Sequence, residues 1–552
     1  MDTVSRRKFL TSMSVATIAV AVPGSGYAAG LGLATYVEAA TTHGRIRGLR
    51  QQGVNLFKGI PYAGSVAGVR RFKRPAPLAP WPGVRDAVQL GAPAMQPPHQ
   101  TRGKNEPPPS EECLFLNVWT PANDGKKRPV MFYNHGGGFS AGSGGAVDQD
   151  GSNLARLFDV VVVQTNHRLG ILGFLYLEEL AGPEYAGSGN AGMLDIVDGL
   201  AWVHQNIAGF GGDPDNVLIF GESGGGEKTS CLYAMPAAAP YFNKASIESG
   251  PGVRMMPREA AAAVTATVLR ELNIAPKDWR QLLQVPVADL LRLQVKMPEL
   301  PAQANATKEG GLVGFVPESF SPVVDGAALP SHPFDPTAPA ISRAKPLMTG
   351  WNEDEYTFFA MAFNDTAPLT TDFAGLQTTL ASRFGSNAKK IIDTYRRTRP
   401  TASAADLWVA IMSVNTMGLG TIALAERKAG QHAAPVYVYN FGYKSEAKIP
   451  GTAYAYGTPH ALDITFKFNN EVRGNPAGFL SGNRPERFGV SHTMAELWAT
   501  FARTGKPAAT NVPEWPAYNL ADRPTLRIDT TCEVLHDRYA EELAMWRSLG
   551  FL

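Results

Sequence analysis

Residues 216–235, NVLIFGESGGGEKTSCLYAM, constrain the fold of this chain more than any other stretch. An apolar run from Val217 to Phe220 ends in Gly221-Glu222-Ser223-Gly224-Gly225, and helix-compatible sequence follows. A serine passed from a buried strand directly into a helix must sit on a tight, strained turn. Glycines two residues to either side let strand and helix approach closely. Such a turn lifts the Ser223 hydroxyl clear of the backbone and leaves the Gly224 amide at a helix start, facing developing negative charge. Alone the pattern is weak: in a chain with 56 glycines among 552 residues, chance supplies roughly 0.3 such matches. Its meaning depends on partners elsewhere.

A second glycine-rich loop is one such partner. Residues 128–134 read as a strand that runs into His135-Gly136-Gly137-Gly138-Phe139. Successive glycines at a strand end present consecutive N–H groups into a concave space with no side chain in the way. Residues 160–165 are almost continuously apolar and β-branched, as a parallel strand covered on both faces would be. Leu200, Val203 and Ile207 recur at helical spacing within residues 194–207. Strand, helix, strand, elbow, helix is an α/β order, which predicts a mostly parallel sheet flanked by helices, with its site at the strand ends. Residues 44–48 with 54–57 read as an opening hairpin, and 61–98 as a long ordered loop or lid-like cover. Residues 113–119 and 435–441 read as strands; 260–272, 279–294, 491–503 and 536–549 carry helical periodicity.

Charge and cysteine exclude several classes. The net charge is +2, and no basic block recurs in the body of the chain, so nucleic acid is not an expected partner. Cys113, Cys231 and Cys532 form neither a disulfide framework nor a metal-binding spacing. No metal or organic cofactor is expected. The first residues instead suggest an export signal: Ser5-Arg6-Arg7-Lys8-Phe9-Leu10 is a twin-arginine pattern, and residues 13–22 form a short apolar stretch. Small residues at Gly26 and Ala28 suit cleavage, giving a leader over residues 1–28 and one domain over 29–552. The expected partner there is the export machinery for folded proteins, and the expected location is the periplasm or medium of a bacterium. An uncleaved anchor is the alternative, although the apolar stretch is short for a membrane span.

The separated segments around Phe57–Ala63, Ser110–Val118, His135–Phe139, Asn190–Gly192 with Asp195, Phe210–Pro214 and Gly221–Gly225 together resemble the type-B carboxylesterases. These form the cholinesterase-like branch of the α/β-hydrolase superfamily. The resemblance implies an α/β-hydrolase fold with helical insertions between about residues 250 and 435, and a serine esterase acting on a small-molecule ester with water as second substrate. It maps the nucleophile onto Ser223, the triad acid onto Glu355 and the base onto His460. Oxyanion amides map onto Gly137, Gly138 and Gly224, and supporting positions onto Glu222 and Ser249. By residue type alone, Glu353 and Asp354 compete with Glu355 for the acid, and His460 could be an ordinary loop histidine. An amidase or carbamate hydrolase using the same triad is one alternative; a non-catalytic binding protein is another.

Four departures from the family pattern stand out. Gly224 replaces the usual alanine, Glu227 and Lys228 replace small residues, Tyr356 replaces a glycine, and Ala94 stands near the usual disulfide partner of Cys113. Phe139 and Lys228 are candidate linings of the substrate pocket. The glycine loop implies room for bulky alcohols. A Lys228 ammonium facing the pocket would favour carboxylate-bearing acyl groups; otherwise it points to solvent or pairs internally.

Overall fold

The computed structural model describes residues 35–98, 106–297, 319–471 and 480–552; the expected export leader lies outside them. One large mixed sheet dominates. Its strands are β1 (Thr35–Thr41), β2 (Gly44–Gln51), β3 (Val54–Pro61), β4 (Val84–Asp86), β5 (Phe115–Thr120), β6 (Arg128–Asn134) and β7 (Val161–Thr165). There follow β8 (Gly212–Glu222), β9 (Lys244–Glu248), β10 (Leu347–Asn352), β11 (Val436–Phe441), β12 (Thr525–Ile528) and β13 (Glu533–Leu535). The spatial order is β1-β2-β3-β5-β7-β6-β8-β9-β10-β11-β12-β13, with β4 beside β2. From β7 to β12 every neighbouring pair is parallel, and the two ends of the sheet are antiparallel except for β4, which runs parallel to β2. This is the α/β-hydrolase arrangement.

The central strands are covered on both faces, and the two-residue period of a strand sends alternate side chains to different cores. Val130 and Phe132 of β6 join Val217 and Ile219 of β8 in one cluster. Met131, Tyr133, Leu218 and Phe220 join the other. Helix α1 (Ala191–Asn206) connects β7 to β8. Strand β6 pairs with both β7 and β8, so chain order reverses across it. The carboxyl ends of β6 and β8 therefore open onto a shared crevice, where an open α/β sheet places its ligands. Further helices, among them Arg258–Glu271, Phe373–Phe384, Ala388–Thr398, Ala404–Ser413 and Leu419–Ala429, are inserted between β9 and β11.

Several expectations are corrected. The stripe over residues 279–294 is not one helix: a 3-10 segment Pro276–Leu283 and a helix Val287–Lys296 are separated around Pro286, which has no N–H to donate and restricts the residue before it. Strand β1 precedes the expected opening hairpin. It is an edge strand with mostly exposed side chains, so it carries little hydrophobic signal. The region 61–98 includes β4, and Trp81 ties it to the opening strands by donating its indole N–H to the Arg45 carbonyl (2.9 Å). All three cysteines are free, and Ala94 and Cys113 line one small cavity.

Candidate active site

Strand β8 ends at Glu222 and helix α2 (Gly224–Ala234) starts at once, leaving Ser223 as the whole turn, with φ 58° and ψ −127°. A side-chain-bearing residue there is strained, and the surroundings must hold it. The Ser223 N–H donates to the Glu248 carbonyl on β9 at 2.9 Å. Around the turn, Cβ atoms are excluded: one on Gly221 would meet the Gly225 backbone, and one on Gly250 would meet the Ser223 carbonyl. Glycine flanks thus permit the close approach expected from the pattern.

Two other loops converge on this serine. Strand β10 leads to Glu355, the residue before helix α3 (Tyr356–Ala362). His460 precedes helix α4 (Leu462–Lys467). His460 Nε2 lies 2.8 Å from Ser223 Oγ, and His460 Nδ1 lies 2.6 Å from Glu355 Oε2. The second oxygen, Glu355 Oε1, accepts from the Asn352 N–H at 2.8 Å. Glu355 is fully buried and His460 is 3 % exposed, whereas Ser223 remains partly open. The competing acids are occupied elsewhere. Glu353 pairs with Lys444, Arg527 and Arg538, and Asp354 pairs with Lys444 and accepts from the Thr458 N–H.

Glu222 Oε1 accepts from the Ala461 N–H (3.1 Å) and lies 3.3 Å from His460 Nε2. Burial pushes the Glu222 carboxyl up against the opposing pull of His460. Burial also disfavours charge on His460, but Glu222 and Glu355 outweigh it and raise the imidazole above its ordinary value. A proton on Glu222 removes one of those attractions and frees His460 to be neutral. Beneath this pair Lys467 is fully buried between Glu248 and Asp463, and Asn352 Nδ2 donates to Asp463 (3.2 Å) and to the Pro459 carbonyl (2.8 Å).

The glycine loop after β6 lies against the elbow. A Cβ on Gly136 would be 3.5 Å from Ser223 Cβ, and one on Gly224 would overlap the N, Cα and O of Gly138. Gly137 and Gly138 have φ of 90° and 60°, conformations that suit glycine. Gly137, Gly138 and Gly224 are thus brought together beside Ser223. Ser249 is buried at the end of β9 with φ 44°, and its hydroxyl makes no hydrogen bond among the described residues.

The pocket-lining expectation is corrected. Phe139 is 1 % exposed and Lys228 0 %; Phe139 packs edge-on against Phe174. The Lys228 ammonium donates to the carbonyls of His135 (2.9 Å) and Gly138 (2.7 Å), because a side chain on the second turn of α2 leans back toward the helix start. The aromatic surface beside the site comes instead from α3. The rings of Phe359 and Phe358, half-buried, lie 4.6 Å and 5.7 Å from the His460 ring. These two and the Lys467 cluster were not singled out from sequence. The Asp463–Lys467 spacing on one helix was the available signal for the cluster.

The family model described as Carboxylesterase family matches residues 35–546. The chain belongs to this family. Carboxylesterase relatives span nearly its full length. The para-nitrobenzyl esterase of Bacillus subtilis is 35% identical over 510 residues, covering 92% of this chain and 98% of its own. The phenmedipham hydrolase of Pseudarthrobacter oxydans is 32% identical, covering 90% and 96%. Among solved structures, a carboxylesterase of Geobacillus stearothermophilus superposes with a TM-score of 0.77 at 36% identity, covering 92% of this chain and 99% of its own. As a carboxylesterase, the protein is a carboxylic ester hydrolase that works through a serine.

Proposed function

We propose that Ser223, His460 and Glu355 are the catalytic triad, and that the amides of Gly137, Gly138 and Gly224 hold the oxyanion. The observation that carries this is the unbroken relay from Ser223 Oγ through both nitrogens of His460 to Glu355. Ser223 Oγ attacks the ester carbonyl carbon while His460 Nε2 takes its proton. The carbonyl electron pair moves onto oxygen, where the amides stabilise it. The intermediate collapses, the alcohol leaves with the proton from His460, and Ser223 keeps the acyl group as an ester. Water activated by the same imidazole then releases the acid. Glu355 holds the imidazole tautomer, and Glu222 positions the loop at Ala461.

The substrates are esters whose alcohol side is bulky or aromatic. Phe358 and Phe359 offer a partly open aromatic surface next to the base, and the glycine loop adds no side chains above the serine. A relative carries para-nitrobenzyl esterase as its name. The arginine pair at Arg6-Arg7 ahead of a short apolar stretch supports export of the folded enzyme as one mature domain. The triad is tested by Ser223→Ala and a fluorophosphonate probe. Expected are a single adduct on Ser223 and loss of ester turnover in the variant by roughly a thousandfold or more. An adduct on another residue, or undiminished turnover, overturns the assignment.

A further inference from the structure

The Lys228 ammonium is fully buried against the loop that carries two of the oxyanion amides. Its location is costly. Removing an ammonium from water costs several kcal/mol unless hydrogen bonds offset it, and the N-terminal end of a helix repels positive charge. Two of its hydrogen bonds, to the carbonyls of His135 and Gly138, fall in an informative pattern. A trans peptide is planar, so each carbonyl is rigidly opposed to the N–H of the next residue. The Gly137 and Gly138 N–H groups belong to the peptide planes 136/137 and 137/138. Lys228 holds the carbonyls of His135 and Gly138, which belong to the planes 135/136 and 138/139. One ammonium therefore clamps both planes that flank the oxyanion pair.

The three remaining carbonyls are also held, that of Gly136 by His135 Nδ1 at 2.9 Å. Gly137 O accepts from the Ala141 N–H (3.0 Å), and Phe139 O accepts from the Gly170 N–H (2.7 Å). Without such ties a run of three glycines would sample many conformations, at about 1–2 kcal/mol of entropy for each residue fixed. Gly224 completes the arrangement, because only the absence of its Cβ lets Gly138 come this close to the elbow.

We infer that Lys228 is a positioning residue that preorganises the oxyanion loop for the transition state, with Gly224 as its steric counterpart. The inference rests on the triad reading above. An oxyanion donor acts only in the transition state, so loosening the loop should lower kcat and leave ground-state binding in place. The test compares Lys228→Met, which removes both hydrogen bonds, with Lys228→Gln, which keeps a shorter donor.

For Lys228→Met, kcat should fall roughly 10- to 100-fold with KM within about threefold, and Lys228→Gln should fall between it and wild type. Affinity for a trifluoromethyl ketone, whose serine adduct carries the oxyanion, should drop in parallel. Affinity for the matched methyl ketone should not. A loss confined to KM, unchanged kcat and ketone affinity in both variants, or failure of both to unfold cooperatively overturns the proposal; the last would make Lys228 a folding residue. Ser223→Ala in the same assay separates the two readings, since retained turnover there sinks the triad and not the clamp alone.

Discussion

Gly224→Ala is the most demanding test of the geometry, because the carboxylesterase pattern usually has alanine there and a family-based expectation is that nothing changes. In this protein the added Cβ would lie nearest the N, Cα and O of Gly138. Relief requires the backbone to part by about 1 Å to reach ordinary van der Waals contact. The methyl itself cannot rotate away, and Gly138 is backbone, held by Lys228 through its carbonyl. Overpacking of this kind costs about 1–3 kcal/mol of stability. The catalytic consequence is larger, since a displacement of about 1 Å in a reacting geometry costs on the order of a hundredfold. We expect kcat on a chromogenic ester to fall about 100-fold, with KM nearly unchanged and fluorophosphonate labelling of Ser223 slowed by a similar factor. Wild-type kcat together with wild-type trifluoromethyl ketone affinity in a folded Gly224→Ala protein would refute the reasoning: the loop would then yield without cost. A cycle with Lys228→Ser adds a sharper reading. Coupled positions should lose less together than the sum of their separate losses, whereas independent ones add.

Three further outcomes follow from the buried charges and the proposed leader. Glu222→Gln keeps an acceptor for the Ala461 N–H but removes the carboxylate whose charge raises His460; because catalysis needs the neutral imidazole, the acid limb of kcat/KM should move to lower pH, and an upward shift refutes the pairing. Lys467→Met leaves Glu248 and Asp463 buried without their ammonium, so denaturant unfolding should show a loss of about 3–5 kcal/mol that shrinks as acid protonates the carboxyls. A loss below about 1 kcal/mol would show that the two carboxylates find other compensation. Replacing Arg6 and Arg7 by lysine should retain the precursor inside a bacterial host, and the mature protein of the unaltered chain should begin near Ala29 by N-terminal sequencing; an intact Met1 on the exported protein would favour an anchor.

Much of the fold was legible in local sequence because its central elements are locally redundant. Strand β6 lies at the expected residues, and β7, α1 and the elbow fall within a few residues of theirs. Apolar runs covered on both faces, a helical period and glycines at fixed offsets each state their structure without reference to distant residues. The broken helix around Pro286 and the exposed strand β1 were missed because apolar periodicity neither registers a proline break nor marks a solvent-facing edge.

The site divides in the same way. The residue types at Ser223, His460 and the glycine loop, and the chemistry they imply, are properties of the sequence. Which of Glu353, Asp354 and Glu355 serves the imidazole is not settled by residue type, and only the family resemblance pointed to Glu355, since three adjacent acids are alike until Lys444, Arg527 and Arg538 from distant segments occupy the first two. The direction of Lys228 was likewise undetermined: a long, flexible side chain on α2 could face a pocket, solvent or a partner. Only the tertiary structure sets it, because the carbonyls that capture its ammonium lie at the end of a different strand, about 90 residues earlier in the chain. Local sequence encodes what a backbone segment prefers by itself. Burial and long-range pairing decide where each charge comes to rest, and at this site that decision separates a selector of substrate charge from a clamp on the oxyanion loop.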